Sequence, residues 1–139
     1  FPEITFHIAA STIMSDKLTK LDINNNVELY PCITEQKIKE LFERCDIYLD
    51  INHSRELNNA VNEALLNNML ILAFDNTAHS KELYPMENIF DSSNYVNMKE
   101  TLKNIITSRT IFNEYIDRQK KQLKQLAVKV VMGDTDESI

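Results

Sequence analysis

The hydrophobic and polar positions of this chain alternate between two periods, one typical of strands and the other of helices. Short apolar runs predict strands at 4–10, 27–30, 46–51 and 70–74, and a two-residue run at 89–90 is a candidate edge strand. Between these runs, apolar residues recur every three or four positions, as they do in amphipathic helices. This order predicts an α/β, Rossmann-like three-layer domain with a mostly parallel sheet of four or five strands and a long C-terminal helix.

The segment from Cys45 to Asp75 contains one complete strand, helix, strand unit. Its first strand is β-branched and aromatic, and its second, Leu70 to Phe74, is wholly apolar, as a parallel strand covered on both faces requires. A crossover of this length predicts a right-handed connection between parallel strands. The helix is predicted from apolar residues at helical spacing, which are Leu57, Ala60, Val61, Ala64, Leu65 and Met69.

Two further helices are predicted from residues that can cap their first turns. Ser15 is a suitable N-cap for a helix that buries Leu18 and Leu21. Thr34 caps a helix whose apolar stripe ends at Cys45.

A much longer helical pattern occupies the C-terminal part of the chain. It runs from about 96 to 132, and a helix of that length either projects beyond the domain or breaks near Ser108. The acidic end that follows reads as a frayed tail. Residues 1–132 are therefore predicted to form one domain, followed by a flexible tail at 133–139.

Length and composition are those of one ordinary globular domain, with 139 residues of which 43% are hydrophobic. No apolar run approaches the roughly 20 residues that a bilayer span requires. Because the chain begins with Phe1-Pro2 and not with Met, we interpret it as a piece of a longer protein. Cys32 and Cys45 read as buried reduced thiols, with a disulfide as the less favoured alternative. We expect a cytoplasmic protein, and the sequence does not exclude peripheral contact with a membrane.

The net charge of −6 argues against nucleic acid as a partner, because phosphate binding depends on clustered Lys and Arg. The main basic concentration lies in the C-terminal helical pattern and consists of Arg118, Lys120, Lys121 and Lys124. Such a run is more often a solvated helix face than a binding site.

Polar residues follow three of the predicted strands. In open α/β sheets, ligands bind at the carboxyl ends of the strands. We therefore predict a polar crevice formed by the loops near 9–12, 52–56 and 75–79. Its candidate ligand-binding or donor-sugar residues are Ser11, Thr12, His53, Arg55, Glu56, Glu63, Asn76, Thr77 and His79.

Several of these residues also have a simpler interpretation. His53 either lines the crevice or caps the following helix. Glu56 and Glu63 are about two turns apart on one helix face, where they either accept hydrogen bonds from ribose or sugar hydroxyls or are merely solvated. His79 taken alone reads as an ordinary loop histidine, and His7, within a strand, as a hydrogen-bonded core or flank residue.

Gly133 is the only glycine in the chain. Nucleotide-binding α/β proteins usually approach a diphosphate with glycine-rich turns, because a side chain there blocks the backbone from the phosphates. The sequence has neither a P-loop nor a dinucleotide fingerprint. Either the phosphates are held by parts outside this chain, or tight nucleotide binding is not its function. We find no metal-ligand spacing and no catalytic arrangement, so no cofactor is predicted.

The motifs ITFHIAA, NVELYPCI, CDIYLDINHSRE and NEALLNNMLILAFDNTAH follow one another along the chain. In this order they resemble the C-terminal, nucleotide-binding-type half of two-domain GT-B glycosyltransferases, with Glu63-Ala64 similar to the EA pair of that family. DIYLDINH together with AFDNTAH resembles more closely the non-catalytic glycosyltransferase-stabilising subunit, or chaperone, of the accessory Sec locus in Gram-positive bacteria. The resemblance covers about residues 3–107.

The resemblance implies both a function and partners. The subunit pairs with a catalytic glycosyltransferase that adds N-acetylglucosamine to Ser and Thr of serine-rich-repeat adhesins, and this domain would stabilise that partner and help to hold the adhesin acceptor. The alternative is the nucleotide-sugar-binding domain of an active GT-B enzyme, which would bind a UDP-sugar. A flavodoxin-like receiver domain is a weaker hypothesis, because Asp50 is predicted within its strand and not at the end.

Departures from the active-enzyme pattern favour the non-catalytic subunit. By the resemblance, an upstream glutamate would stand at Arg55, whereas this chain has Glu56 one place later, and a one-residue shift rotates a helical side chain by about 100°. Leu57 replaces the glycine that follows that glutamate, and Asn67-Asn68 replaces a small-residue turn.

The resemblance also implies that parts of the domain and its surroundings are missing. Related domains begin with an earlier strand and helix, and their last helices cross back to an N-terminal domain. Without that cover, an apolar face of the C-terminal helix would drive self-association of the fragment. The residues of this face are Ile105, Phe112, Ile116 and Leu123.

Overall fold

Strands and helices alternate along the chain in a computed structural model that describes residues 1–52 and 59–131. The strands are β1 (Phe6–Ala9), β2 (Val27–Tyr30), β3 (Ile47–Asp50), β4 (Leu70–Phe74) and β5 (Ile89–Phe90). The α-helices are α1 (Asp16–Thr19), α2 (Glu35–Arg44), α3 (Ala60–Leu66), α4 (Val96–Thr107) and α5 (Arg109–Val131). Short 3-10 turns occupy Lys20–Ile23, Lys81–Leu83 and Met86–Asn88. The predicted tail at 133–139 lies outside the described residues.

All strand pairings are parallel, and the strands form two groups. β1 pairs with β2, so that Phe6 lies opposite Val27, while β4 lies between β3 and β5. The prediction of four or five mostly parallel strands is therefore confirmed. Among the described residues no strand pairing joins β1 to β3, so the strands form one two-stranded and one three-stranded group.

The hydrophobic core is centred on β4. Its residues 70–73 are completely buried, and their side chains alternate between two clusters. Ile71 packs in one cluster with Val61 of α3, and partly buried side chains of α2 join it. Leu72 packs in the other cluster with Leu102 of α4 and Ile116 of α5. Helices thus cover both faces of the β4 region, and the predicted three-layer architecture is confirmed.

The long helical pattern is interrupted at Ser108. The backbone there is extended, with φ −137° and ψ 110°, and the Ser108 hydroxyl accepts a hydrogen bond from the Ile111 amide at 3.3 Å. Because of this break, α4 and α5 pack on the same side of the sheet and bury Ile105 and Ile116 in one cluster. The expectation that these two residues form part of an uncovered apolar face is therefore wrong, because the chain's own sheet covers them. Phe112, at the edge of the same cluster, is half-buried.

Gln119 of α5 is bonded to the backbone of the central strand. Its side-chain oxygen accepts a hydrogen bond from the Ile71 amide at 3.0 Å, and its amide nitrogen donates to the Met69 carbonyl at 2.9 Å. Asn88 donates to the Ile71 carbonyl at 2.9 Å from the same side. The two-residue strand β5 pairs with β4 only at Ala73 and Phe74, so these two amide side chains take the place of a longer edge strand.

Both predicted helix caps are confirmed. The Ser15 hydroxyl accepts a hydrogen bond from the Leu18 amide at 3.3 Å, and the Thr34 hydroxyl accepts one from the Lys37 amide at 3.2 Å. The predicted burial of Leu18 and Leu21 is wrong, since these side chains are 36% and 38% exposed. The physical reason is that α1 is only one turn long and is too short to present an apolar stripe to the sheet.

The two cysteines are free thiols, as predicted, but they are not both buried. Cys32 is exposed in the turn after β2, where its φ of 50° lies in the left-handed region. Cys45 directly follows α2 and is half-buried, and this burial raises the pKa of its thiol.

Candidate functional site

The carboxyl ends of β3 and β4 lie side by side, because the two strands are parallel and in register. Asp50 is the last residue of β3 and lies opposite Ala73 of β4. It is 1% exposed, although its side chain is a carboxylate. A buried carboxylate is stable in a folded protein only when hydrogen-bond donors surround it. The structure supplies these donors from the segment that follows β4.

Asp50 is the centre of a hydrogen-bond network that we call the Asp50 cluster, formed by Asp50, Thr77, His79 and Tyr84. One carboxylate oxygen accepts hydrogen bonds from the His79 backbone amide at 2.8 Å and from the Tyr84 hydroxyl at 3.2 Å. The other oxygen lies 2.5 Å from Nδ1 of the His79 ring. The Thr77 hydroxyl donates to the Asp50 carbonyl at 2.7 Å. Both carboxylate oxygens are thus engaged by groups of the chain itself.

The electrostatics of the cluster keep its phenol in the donor form. Burial raises the pKa of Tyr84, and the adjacent negative charge of Asp50 raises it further. The Tyr84 hydroxyl therefore stays protonated and can donate to the carboxylate. The His79 ring is 22% exposed and lies between the buried carboxylate and the surface. The network joins the end of β3 to the loop after β4 and holds both in one geometry.

The sequence interpretation missed Asp50 as the centre of this site. It placed Asp50 within its strand, and this is corrected here because β3 ends at Asp50. The signal available in the sequence was a carboxylate after the apolar residues Ile47, Tyr48 and Leu49, two positions before the polar run that begins at Asn52. His79 is likewise more than an ordinary loop histidine, since it is bonded to Asp50 through both its backbone and its ring.

The predicted crevice residues are only partly brought together. Thr77 and His79 belong to the Asp50 cluster, and Asn76 lies exposed in the same turn. Glu63 is exposed on α3, where its carbonyl accepts a hydrogen bond from the Asn67 side chain at 2.8 Å. Whether any of these residues binds a ligand stays a prediction.

The remaining predicted site residues follow β1 and β3 in the sequence. Ser11 and Thr12 are exposed, and the Thr12 carbonyl accepts a hydrogen bond from the Cys32 amide at 3.0 Å, which ties this loop to the turn after β2. His53, Arg55 and Glu56 lie outside the described residues. Their assignment to the crevice therefore stays a prediction.

A second polar cluster lies on the β1–β2 pair. Nδ1 of His7 is 3.0 Å from the Tyr30 hydroxyl, which donates to the Glu28 carboxylate at 2.5 Å. Desolvation, together with this hydrogen bond, raises the pKa of Tyr30 to about 12, and the same bond lowers the pKa of Glu28. The prediction that His7 is a hydrogen-bonded flank residue is confirmed.

Neither cluster has the composition of a metal centre. Within residues 1–52 and 59–131 there is no group of three or more His, Cys, Asp or Glu side chains that could hold a metal ion. Over the same residues, no helix is long and apolar enough to cross a membrane.

Comparisons with known proteins agree with this fold. A family model described as "GftB/GlyA-F C-terminal domain" matches residues 1–119. The chain is 38% identical, over 91% of its length, to a UDP-N-acetylglucosamine–peptide N-acetylglucosaminyltransferase stabilising protein, GtfB, of Limosilactobacillus reuteri. It spans only 29% of that relative's length.

Two solved structures are similar to this chain. A crystal structure of a GtfA/B complex bound to UDP and GlcNAc matches 88% of the chain with a TM-score of 0.79 and 34% identity, and the match covers 27% of that structure's chain. The glycosyltransferase GlyE of Streptococcus pneumoniae matches 74% of the chain with a TM-score of 0.65 and 36% identity, over 26% of its own chain.

Proposed function

Because this chain belongs to the GftB/GlyA-F C-terminal domain family, we propose that it is the C-terminal domain of a non-catalytic subunit that binds and stabilises a glycosyltransferase. One observation carries the proposal. A relative named as a stabilising protein matches nearly the whole chain, and a solved complex of such a protein matches it in fold. The chain is under a third of these relatives' length, so the activity and the partner of the whole protein are part of the proposal.

The Asp50 cluster supports a structural role for this edge of the sheet. Both oxygens of the buried carboxylate are engaged by His79 and Tyr84, so the carboxylate serves to hold the adjacent loops in place. A fixed strand end of this kind suits a surface that must present one shape to a partner subunit or to an acceptor peptide. We further propose that the subunit helps to hold a Ser/Thr-rich adhesin during O-glycosylation in the cytoplasm of a Gram-positive bacterium.

The second candidate is a nucleotide-sugar domain of an active GT-B enzyme. The similarity to GlyE, which is named a glycosyltransferase, favours it. In this case Glu63, at the position that resembles the EA pair, would accept a hydrogen bond from a UDP-sugar. Glu63 is exposed on α3 and therefore accessible to a ligand.

Co-purification and titration of the full-length protein separate the two candidates. For a stabilising subunit, we expect the full-length protein to co-purify with its glycosyltransferase and to raise the yield of soluble, active enzyme. Calorimetric titration of the full-length protein alone with UDP-sugars should give no micromolar binding. Sugar transfer or donor hydrolysis by the protein alone would contradict the proposal.

A pair of α3 variants adds a residue-level test. If the protein is an active transferase, Glu63→Ala should abolish turnover, whereas Asn62→Ala, the exposed neighbour on the same helix, should leave it intact. If the protein is a stabilising subunit, both variants of the full-length protein should support the partner's activity to the same degree.

A further inference from the structure

The polar cluster on the β1–β2 pair joins three side chains in series, which we call the Glu28 relay and which are those of His7, Tyr30 and Glu28. His7 and Glu28 lie opposite each other in the register of the two strands. Tyr30 lies two residues further along β2 and therefore on the same face. Nδ1 of His7 is 3.0 Å from the Tyr30 hydroxyl oxygen, which is 2.5 Å from Oε2 of Glu28.

The charge of Glu28 fixes the direction of its hydrogen bond with Tyr30. An ionised carboxylate can only accept hydrogen bonds, and a length of about 2.5–2.7 Å is typical of a bond from a hydroxyl group to such an oxygen. The hydrogen bond from Tyr30 lowers the pKa of Glu28, and the positive charges of Arg44 and Lys37 on α2 act in the same sense. Desolvation, together with this hydrogen bond, raises the pKa of Tyr30 to about 12. At neutral pH the phenol therefore keeps its proton and donates it to Glu28.

The direction of this bond decides which nitrogen of His7 carries a proton. A tyrosine hydroxyl has one proton, so the Tyr30 oxygen can only accept a hydrogen bond from its second partner. Nδ1 of His7 must therefore be the donor, and its distance of 3.6 Å from Oε2 of Glu28 favours a proton on the same nitrogen. In a neutral imidazole one nitrogen is the donor and the other the acceptor, so Nε2 of His7 carries the lone pair.

Withdrawal of the carboxylate reverses this arrangement. Without Glu28, the Tyr30 hydroxyl is free to donate its proton to Nδ1 of His7. Nδ1 then releases its own proton to water and Nε2 takes one up from water, so the ring keeps its charge. The Glu28 side chain is 53% exposed and that of His7 is 15% exposed, so a carboxylate at the surface acts on a ring that is largely buried.

We propose that the Glu28 relay is a switch of hydrogen-bond polarity, in which the carboxylate of Glu28 decides whether Nε2 of His7 accepts or donates a hydrogen bond. Any contact that draws Glu28 away from Tyr30 changes Nε2 from an acceptor into a donor. Among the described residues Nε2 has no hydrogen-bond partner, so no other contact there fixes its polarity. The inference goes beyond the proposed function and does not depend on it.

Nitrogen-15 NMR of the full-length protein, labelled in its histidine rings, tests the proposal. At a pH of about 8.5, well above the ordinary histidine pKa of about 6.5, the spectra show which ring nitrogen carries the proton. The His7 signals are identified by their loss in His7→Gln. In the wild-type protein, the tautomer protonated at Nδ1 should exceed the other at least about tenfold, because the bond from Tyr30 to a charged acceptor is stronger than a bond between neutral groups.

Two substitutions distinguish the switch from a ring that its surroundings hold in one tautomer. Glu28→Ala should reverse the ratio, so that the tautomer protonated at Nε2 predominates. Glu43→Ala, which removes an exposed glutamate of α2, is the matched control and should keep the wild-type ratio. A wild-type ring protonated at Nε2, or a ratio that Glu28→Ala leaves unchanged, would overturn the proposal.

Discussion

Replacing Gln119 by leucine should be one of the most damaging single changes on α5. The Gln119 side chain is 2% exposed and bonds both the Ile71 amide and the Met69 carbonyl, which are about fifty positions away in sequence. Leucine has a similar volume and a good helix propensity, so the change removes the two hydrogen bonds with little effect on packing or on the helix. The variant therefore isolates the contribution of the strand-like pairing.

The magnitude follows from the two backbone groups that lose their partners. A buried donor or acceptor left unpaired costs about 1–3 kcal/mol, so the loss of both partners in Gln119→Leu should lower the free energy of unfolding by about 2–6 kcal/mol. For a chain of this size, each kcal/mol corresponds to roughly 4 °C, so Tm should fall by about 8–24 °C. Such a loss is a large fraction of the total stability of an ordinary domain.

Urea unfolding followed by far-ultraviolet circular dichroism measures the effect, and Gln122→Leu is the matched control. Gln122 lies one turn further along α5 and donates to the Glu82 carbonyl at 3.1 Å near the surface, where water can replace it. The control should lose no more than about 0.5 kcal/mol. Equal effects of the two variants would show that the Gln119 pairing contributes nothing beyond a surface hydrogen bond.

Three further variants test other parts of the structure by the same measurement. Asp50→Asn replaces one carboxylate oxygen by an amide group, which cannot accept a hydrogen bond from the donors around Asp50, and should lower the free energy of unfolding by about 1–3 kcal/mol. Asp75→Asn, in the exposed turn, is the control and should leave the free energy of unfolding nearly unchanged. Because folding raises the pKa of Tyr30 from 10.0 to about 12, the protonated phenol contributes fully to stability below pH 10, and this contribution is lost as the pH rises towards 12. Tyr30→Phe should therefore flatten the dependence of the free energy of unfolding on pH between 10 and 12. An unchanged dependence would contradict this expectation. Thr34→Ala removes the N-cap of α2 and should lower the free energy of unfolding by about 1 kcal/mol. An unchanged free energy of unfolding would mean that water caps the helix equally well.

The local elements could be predicted from the sequence because their signals are local. The apolar run of β4 lies between Asn67-Asn68 and Asp75, and its predicted bounds, Leu70 to Phe74, are those of the structure. β2, which Pro31 follows, is equally well defined. The break at Ser108 was one of two alternatives, because periodicity alone does not decide whether two helices fold back on one sheet.

The sequence predicted where the candidate site lies but not how its residues interact. That polar residues gather after β3 and β4 follows from the topology of parallel sheets, whereas the role of Asp50 depends on bonds to His79 and Tyr84, about thirty positions away. Gln119 was missed for the same reason. It lies in a polar, basic stretch of helix, and nothing in its sequence neighbours shows that its amide replaces a strand residue.

The division of the strands into two groups has a consequence for how the domain forms during synthesis. β1 and β2 can pair as soon as Tyr30 has left the ribosome, whereas the second sheet is complete only when Phe90 has followed, and the α5 residue Gln119 arrives later still. Each group consists of consecutive strands, so neither has to wait for distant sequence to begin folding. Within this stretch of sequence, the half-buried β1–β2 pair is therefore synthesised before the strands and helices that form the buried core around β4.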